Sequence, residues 1–437
     1  MDRMPIYSII LTLGFLLMLP LFILRREKYA AGFRERLGNY PSFAHDGRKV
    51  IWLHCVSVGE ANAARPLVDA LIEAFPGHRL VISTTTKTGH EHSANIFRDK
   101  ADAVFYFPFD FKFSVSKALD NFMPDVVLLM ETEIWPRFIR EAKLSGARVV
   151  IVNGRLSERS VRRYGIARSF VQRVLSDVDL ALMQNEKDAE RIVSLGIGPE
   201  KVRTIGNLKF DHAVEANEEA LTEEFRKRFA IDGETPLIVA ASTHEPEEEW
   251  ILESLDGIDH FRLLIAPRHP QRFDEVAKLL EKTGRTFVRR SQPATEADRD
   301  AKIILLDTIG ELRAVYPLAD IVFVGGSLIP HGGQSILEPA TAGKAIITGP
   351  YTHNFESIVK KFAERDALIQ LRKVPNSSEY AEQLYEEFLD LLKNSNRRHE
   401  LGSRAREAMI SNQGATAKTV ECLLTILDVP EKLKNDN

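Results

Sequence analysis

Two series of short apolar segments, each segment followed by a turn and a longer amphipathic stretch, run along this chain of 437 residues. A short continuous apolar run is typical of a strand buried on both faces of a parallel sheet, and the stretch after it is typical of the covering helix. The first series comprises residues 50–53, 80–83, 104–107, 126–130, 149–152 and 180–183, and the second comprises residues 237–241, 261–266, 303–306, 321–324, 345–348 and 368–371.

The chain is longer than one hydrophobic core usually supports, which favours two domains. Residues 211–229, between the two series, are polar and rich in glutamate. We therefore predict an α/β fold of two Rossmann-like domains facing a cleft, with the junction near residues 207–235. The N-terminal domain is expected to span residues 29–212 and the C-terminal domain residues 213–437. Ligands of such sheets bind at the carboxyl ends of the strands.

The N-terminal segment differs from the rest because residues 6–24 contain no charged side chain. An apolar helix of about 20 residues spans a bilayer, and the basic residues Arg25, Arg26 and Lys28 that follow favour a cytoplasmic position for the body of the protein. We predict that residues 1–28 form a single-pass anchor, a transmembrane helix in the inner (plasma) membrane, with the catalytic domains on the cytoplasmic face. A cleaved signal peptide and a buried or interfacial helix are the alternatives.

Composition and motif spacing exclude several classes of function. The formal net charge is −4 and no basic stretch is interleaved with aromatic residues, which argues against a nucleic-acid partner. Cys55 and Cys422 fit no disulfide or metal framework. His90 and His92 lack helix-face spacing, and no acidic pair is placed to hold a divalent metal, so we predict no metal site.

The most informative polar segment begins at Gly325 and Gly326, directly after an apolar run. Paired glycines let a backbone approach a ligand closely, and a helix N-terminus presents free N–H groups to an anion. A second pair, Gly332 and Gly333, precedes a predicted helix with Glu338 in its first turn. A carboxylate there can accept hydrogen bonds from a ribose diol. The segment predicts a site for a nucleotide-activated donor.

Two further segments follow strands of the second series. Arg268 and His269 lie between two prolines and can donate hydrogen bonds to a phosphate, although a surface arginine would look the same. Residues 307–312 resemble an acidic helix start, where the N–H groups of Gly310 and Glu311 could contact a base or a phosphate. This second signal is weak, because such caps are common.

Carboxylates follow two strands of the first series. Glu60 comes after a turn of small residues and is placed either to act as a general base or only to complement a helix dipole. Glu131 and Glu133 end an apolar strand and point to the same side, so that one pKa should rise. One of them is expected to be functional and the other a helix cap. Lys209, at the junction, either stabilises charge in a transition state or is a solvated linker residue.

In their order along nearly the whole chain, these motifs resemble those of the 3-deoxy-D-manno-octulosonic acid (Kdo) transferases of Gram-negative lipopolysaccharide synthesis. The resemblance implies a GT-B fold and metal-free use of CMP-Kdo, with no bound cofactor. It also implies inverting transfer of Kdo to a lipid A precursor (lipid IVA) at the inner face of the inner membrane. The segments that carry it are residues 54–60, 130–136, 208–211, 242–245, 267–270, 307–312 and 323–327.

The resemblance also assigns roles by position. Glu60 matches the proposed general base, and Glu131 and Lys209 match residues thought to support the transition state. This chain has Gln334-Ser335 where the family commonly has His-Asn, which leaves open whether the sugar is Kdo or a modified Kdo. The expected donor contacts, including the glycine pair, are Arg268, His269, Ile309, Gly310, Glu311, Gly325, Gly326, Ser335, Ile336, Leu337 and Glu338.

Two other functions fit the same residues. One is a different GT-B transferase or an epimerase that uses a UDP-sugar. The other is a membrane-tethered nucleotide-binding scaffold, which would leave Glu60 and Glu131 without a role.

Overall fold

The computed structural model describes residues 4–24, 31–211 and 216–427. The chain forms two compact units, one made of Met1–Ala213 with Asn412–Asn437 and the other of Val214–Ser411. Each unit is built on one seven-stranded sheet in which all the pairings are parallel. The predicted fold of two parallel α/β domains is confirmed.

The first sheet has the strand order β3-β2-β1-β4-β5-β6-β7. The runs at residues 50–53, 126–130 and 149–152, in its central strands, are apolar and buried, as expected for strands covered on both faces. Its strands are β1 (Lys49–His54), β2 (His78–Thr84), β3 (Ala103–Tyr106), β4 (Val126–Met130), β5 (Arg148–Gly154), β6 (Leu180–Met183) and β7 (Val202–Thr204).

Helices of the first unit connect these strands and cover the sheet, and a 3₁₀ turn, Leu208–Asp211, follows β7. The helices are α1 (Met4–Leu24), α2 (Phe33–Arg36), α3 (Val58–Ala74), α4 (Lys87–Ile96), α5 (Lys112–Phe122), α6 (Pro136–Leu144), α7 (Glu158–Gly165), α8 (Arg168–Ser176) and α9 (Glu186–Ser194).

The second sheet has the order β10-β11-β9-β8-β12-β13-β14. Its strands are β8 (Leu237–Thr243), β9 (Arg262–Pro267), β10 (Phe287–Arg289), β11 (Ile303–Leu305), β12 (Ile321–Val324), β13 (Ala345–Thr348) and β14 (Ile369–Gln370). Its helices are α10 (Ala216–Arg228), α11 (Glu247–Ser254), α12 (Phe273–Lys282), α13 (Leu312–Val315), α14 (Leu337–Thr341), α15 (Glu356–Ala363), α16 (Glu379–Lys393) and α17 (Ser395–Ile410).

The last helix, α18 (Ala415–Ile426), belongs to the first unit. The Asp211 carboxylate accepts hydrogen bonds from the N–H groups of Gly414, at 2.7 Å, and Thr416, at 2.5 Å. Leu423 is buried in the same core as Leu208. The predicted C-terminal domain, 213–437, is therefore wrong at its end, because residues 412–437 belong to the first unit.

Helix α1 lies against the first unit along one side. Met4 is buried in the core of that unit, and the Tyr7 hydroxyl donates a 2.6 Å hydrogen bond to Asp110. The Arg137 guanidinium donates to Ser8 Oγ at 2.8 Å. Farther along α1, the Phe15 ring lies close to the rings of Phe33, Phe109 and Phe111.

The other side of α1 carries exposed apolar side chains, with Leu17 at 80% exposure. Across the described residues, none of the helices has the length and apolar content that a bilayer crossing requires. The predicted transmembrane helix is therefore not supported. Residues 1–3 and 25–28 of the predicted anchor lie outside the described part of the chain.

Candidate functional site

Glu60 lies at the point where the strand order of the first sheet reverses. β1 has β2 on one side and β4 on the other, which is where open α/β sheets bind their ligands. The side chain sits in the first turn of α3 and is only 8% exposed. Its carboxylate accepts a 2.8 Å hydrogen bond from the Val56 N–H and a 3.3 Å hydrogen bond from the Ser57 hydroxyl. The turn thus fixes the carboxylate at the end of β1.

The pKa of Glu60 is raised to about 7, chiefly because burial removes the carboxylate from water. The negative charges of Glu131 and Glu133 raise it further, whereas the hydrogen bonds from Val56 and Ser57 oppose the rise. A carboxylate with a pKa near neutrality is well matched to general-base catalysis.

Glu131 follows β4 and has a left-handed backbone, with φ of 55°. This conformation costs a non-glycine residue about 1 to 3 kcal/mol and persists only where the surroundings enforce it. Here the Glu131 N–H donates to the Val152 carbonyl at 2.9 Å. The carboxylate pairs with Arg155 Nε at 2.9 Å and lies 4.0 Å from Lys209 Nζ. The strained backbone thus directs the carboxylate toward two cations.

Glu133 lies two residues farther along and does not begin the next helix, because Trp135 occupies the N-cap of α6. Burial raises the pKa of Glu133, the charge of Glu131 raises it further, and Arg163 opposes the rise. Glu133 therefore adds negative charge near Glu60 rather than capping a helix.

Lys209 lies in the 3₁₀ turn after β7 and its side chain is 21% exposed. Burial lowers its pKa, while the charges of Glu131 and Glu60 act in the opposite direction. The Asn207 side chain fixes the turn by accepting the Lys209 N–H at 3.0 Å and donating to Gln184 at 3.0 Å. The solvated-linker alternative for Lys209 is wrong. Lys209 instead lies with Glu60 and Glu131 in one electrostatic cluster of the first unit.

In the second unit, the glycine pair follows β12, which neighbours β8 where that sheet reverses its order. A Cβ atom on Gly325 would lie 2.7 Å from the Ser242 carbonyl oxygen and from Thr243 Cα, so no side chain fits there. Gly326 has φ of +64°. The close approach that Gly325 permits is therefore between the β8 and β12 loops of the protein itself.

Glu247, which sequence reasoning missed, joins these two loops. Its carboxylate is fully buried and accepts hydrogen bonds from the N–H groups of Gly326, Ser327 and Leu328 at 2.7, 2.9 and 2.9 Å. It also accepts the His244 N–H at 3.0 Å. Burial raises its pKa to about 7 and the four hydrogen bonds oppose this. The N–H groups of residues 326–328 thus bind a carboxylate of the protein.

Arg268 and His269 are exposed directly after β9. The Arg268 N–H donates to the Thr243 carbonyl at 3.0 Å, which fixes this segment beside the β8 loop. The His269 ring lies 5.2 Å from the His244 ring, centroid to centroid. The structure therefore places this pair beside the loops that Glu247 joins.

Residues 309–311 form an exposed turn. Ile309 is 79% exposed and Gly310 has φ of +88°. Glu311 accepts two 3.0 Å hydrogen bonds from Arg290. Burial raises its pKa, but the hydrogen bonds from Arg290 and Thr308 outweigh this and hold it below its ordinary value. Glu311 is thus ionised and already paired.

The segment after the second glycine pair ends in α14, and Glu338 lies in its first turn as predicted. The Ser335 hydroxyl donates to Glu338 at 2.5 Å and accepts the Leu337 N–H at 3.3 Å. Ile336 and Leu337 are buried. Their side chains belong to the interior, which leaves Ser335 and Glu338 as the polar side chains of residues 335–338.

Solved structures with the same fold include the UDP-GlcNAc 2-epimerase from Neisseria meningitidis bound to UDP-GlcNAc. It has a TM-score of 0.59 at 14% identity and covers 86% of this chain and 100% of its own. A glycosyltransferase from Rickettsia africae has a TM-score of 0.56 at 14% identity, with coverage of 88% and 100%. The two parallel-sheet units are therefore GT-B-like, a fold that these two enzymes share.

Sequence comparison narrows the class of protein from this fold to the glycosyltransferases. The family model described as 3-deoxy-D-manno-octulosonic-acid transferase (kdotransferase) matches residues 31–212. The 3-deoxy-D-manno-octulosonic acid transferase of Haemophilus influenzae is 34% identical over 93% of this chain and 94% of its own length. That of Bordetella pertussis is 32% identical over 85% and 86%. The chain belongs to the 3-deoxy-D-manno-octulosonic acid transferase family, which confirms the resemblance.

Proposed function

We propose that this chain transfers Kdo from CMP-Kdo to a lipid A precursor (lipid IVA) during lipopolysaccharide synthesis. Membership of the Kdo transferase family supports the sugar and the pathway. The observation that carries the mechanism is the buried Glu60, which has a near-neutral pKa and lies where the strand order of the first sheet reverses.

In the proposed step, Glu60 removes the proton from an acceptor hydroxyl. The hydroxyl oxygen forms a bond to the anomeric carbon of the donor as the bond to the CMP phosphate oxygen breaks, which inverts the configuration. Glu60 keeps the proton, and CMP departs with the electron pair of the broken carbon–oxygen bond. Lys209, oriented by Glu131, offsets developing negative charge near the base.

The second unit is proposed to hold CMP-Kdo. Arg268 and His269, the turn at residues 309–311 and the segment 335–338 supply a guanidinium, an imidazole, N–H groups and a carboxylate at the carboxyl ends of its strands. Gly325 and Gly326 give the loop its shape, because their own N–H groups donate to the Ala241 carbonyl and to Glu247. CMP carries one phosphate, so arginine and N–H donors can balance its charge, and we propose that transfer needs no metal or other cofactor.

We propose that the protein acts at the cytoplasmic face of the inner membrane, where the lipid A precursor is expected. Exposed apolar side chains of α1, such as Ile10 and Leu17, support contact with a lipid surface. Fractionation of cells should recover the protein with membranes. Recovery in the supernatant at low salt would contradict this location.

The test of function is mass spectrometry of products after incubation with CMP-Kdo and tetra-acylated lipid A precursor. Wild-type protein should add Kdo, and Glu60→Gln should lower the rate by about 10²- to 10⁴-fold because it removes the base. Glu73→Gln changes an exposed carboxylate of the same helix and is the matched control. Near-normal turnover by Glu60→Gln would refute the role of Glu60.

Two further measurements test metal independence and the identity of the donor. Activity should persist in EDTA, and its loss would contradict metal independence. CMP should compete with the donor better than UDP does, whereas preferential competition by UDP would indicate a UDP-sugar enzyme.

A further inference from the structure

Three histidines from separate loops of the second unit come together at the carboxyl ends of its strands. His244 follows β8, His269 follows β9 and His331 lies beyond β12. One nitrogen from each ring lies within 4.8 Å of one nitrogen of each of the others. The His244 ring is centred 4.2 Å from that of His331 and 5.2 Å from that of His269. We propose that these three imidazoles bind a divalent transition-metal ion, of which Zn²⁺ and Co²⁺ are the probes.

His244, the central histidine of the three, is suited to bind such an ion. His244 is buried, and its Nε2 atom has no hydrogen-bond partner among the described residues. A buried polar atom without a partner is unfavourable, and a metal–nitrogen bond would supply the missing partner.

The other two ligands are held at their backbones and exposed at their rings. The Asn354 side chain donates to the His331 carbonyl at 3.1 Å, and the His331 N–H donates to Ile329 at 2.7 Å. The His269 carbonyl accepts the Arg272 N–H at 2.9 Å. In a tetrahedral site with metal–nitrogen bonds of about 2.0 Å, the nitrogens are about 3.3 Å apart. Side-chain rotation of the two exposed rings can bring them to that distance.

The ligand set selects the kind of ion. Neutral imidazole suits zinc, cobalt, nickel and copper, whereas Mg²⁺ and Ca²⁺ require oxygen ligands. Three protein ligands leave a fourth position for water or an anion, and the charge of the nearby Arg268 favours an anion there, whereas Arg272 is paired with Glu248 at 2.6 Å.

The experiment uses the full chain without a polyhistidine tag, stripped with EDTA and dialysed. Titration with Co²⁺ should produce visible d–d absorption of a four-coordinate ion and saturate at one ion per chain. Calorimetry with Zn²⁺ should give the same stoichiometry. His269→Ala and His331→Ala should each weaken binding by at least about tenfold, because each removes one ligand. His399→Ala, an exposed histidine of α17, should leave it unchanged.

Absence of saturable binding, or equal affinity in wild type, His269→Ala and His331→Ala, would overturn the proposal. Circular dichroism of each variant shows that a lost site is not lost folding. His269 is also a proposed donor contact, but the binding readout uses neither CMP-Kdo nor turnover, so it stands apart from the proposed transfer. Activity in EDTA tests the transfer alone, and cobalt binding tests the histidine site alone.

Discussion

Replacing Glu60 by glutamine should stabilise the first unit while lowering the transfer rate by about 10²- to 10⁴-fold. The native pKa of about 7 exceeds the ordinary value of 4.5, so the folded state binds the proton more tightly than the unfolded state. Below about pH 4.5 the carboxyl group is protonated in both states and imposes no penalty. As the pH rises through about 7, the native state must carry an unfavourable buried charge, and stability is lost.

The shift from 4.5 to about 7 corresponds to about 3 kcal/mol of unfolding free energy at high pH. Glutamine carries no charge, and it retains an oxygen for the Val56 N–H and an amide that can donate to Ser57. We therefore expect Glu60→Gln to be more stable than wild type by about 1 to 3 kcal/mol near pH 8 and equal to it near pH 4.

The assay is urea unfolding of the full chain at both pH values, followed by tryptophan fluorescence, since Trp52 and Trp135 both lie in the first unit. Glu73→Gln should shift the transition at neither pH. A Glu60→Gln variant that is neutral or destabilised near pH 8, or equally stabilised at both pH values, would refute the argument that burial strains this carboxylate.

Three further predictions concern other features. The transfer rate should rise about tenfold per pH unit below about pH 7 and level off above it, because Glu60 must be ionised to act as a base; a rate independent of pH from 5 to 8 would contradict this. Glu247→Gln should destabilise the second unit by at least about 2 kcal/mol in urea unfolding, because each Glu247 oxygen accepts two N–H groups and the new amide NH2 would face two of them, which outweighs the relief of the buried charge; the exposed Glu249→Gln should have no such effect. Asp211→Ala should cost about 2 kcal/mol and speed amide exchange in α18; unchanged exchange there would count against the docking role of Asp211.

The sequence predicted the central strands well because strands buried on both faces must be apolar throughout. It did not predict β7 or β10, which are edge strands of their sheets and are partly or fully exposed. Their short, mixed sequences carry no continuous apolar run. Long apolar character likewise favoured a bilayer for residues 6–24, whereas one side of α1 contacts the first unit.

The carboxylates and Lys209 were predictable because each directly follows a strand. Glu247 was not, because it begins a run of three glutamates that looks like a solvated helix start, and only the fold shows that it is buried. The grouping of three histidines was missed for a related reason. His244, His269 and His331 are distant in sequence, so their proximity depends on strand order rather than on spacing.

The return of α18 to the first unit has a consequence for synthesis. The second unit, Val214–Ser411, is an insertion within the first, and the ribosome completes it before it releases residues 412–437. Domains generally fold as units while the chain is made. The unit that is begun first is therefore finished after the second, and Ala61 and Leu67 of α3 lack their core partner Leu423 until the second unit has been made.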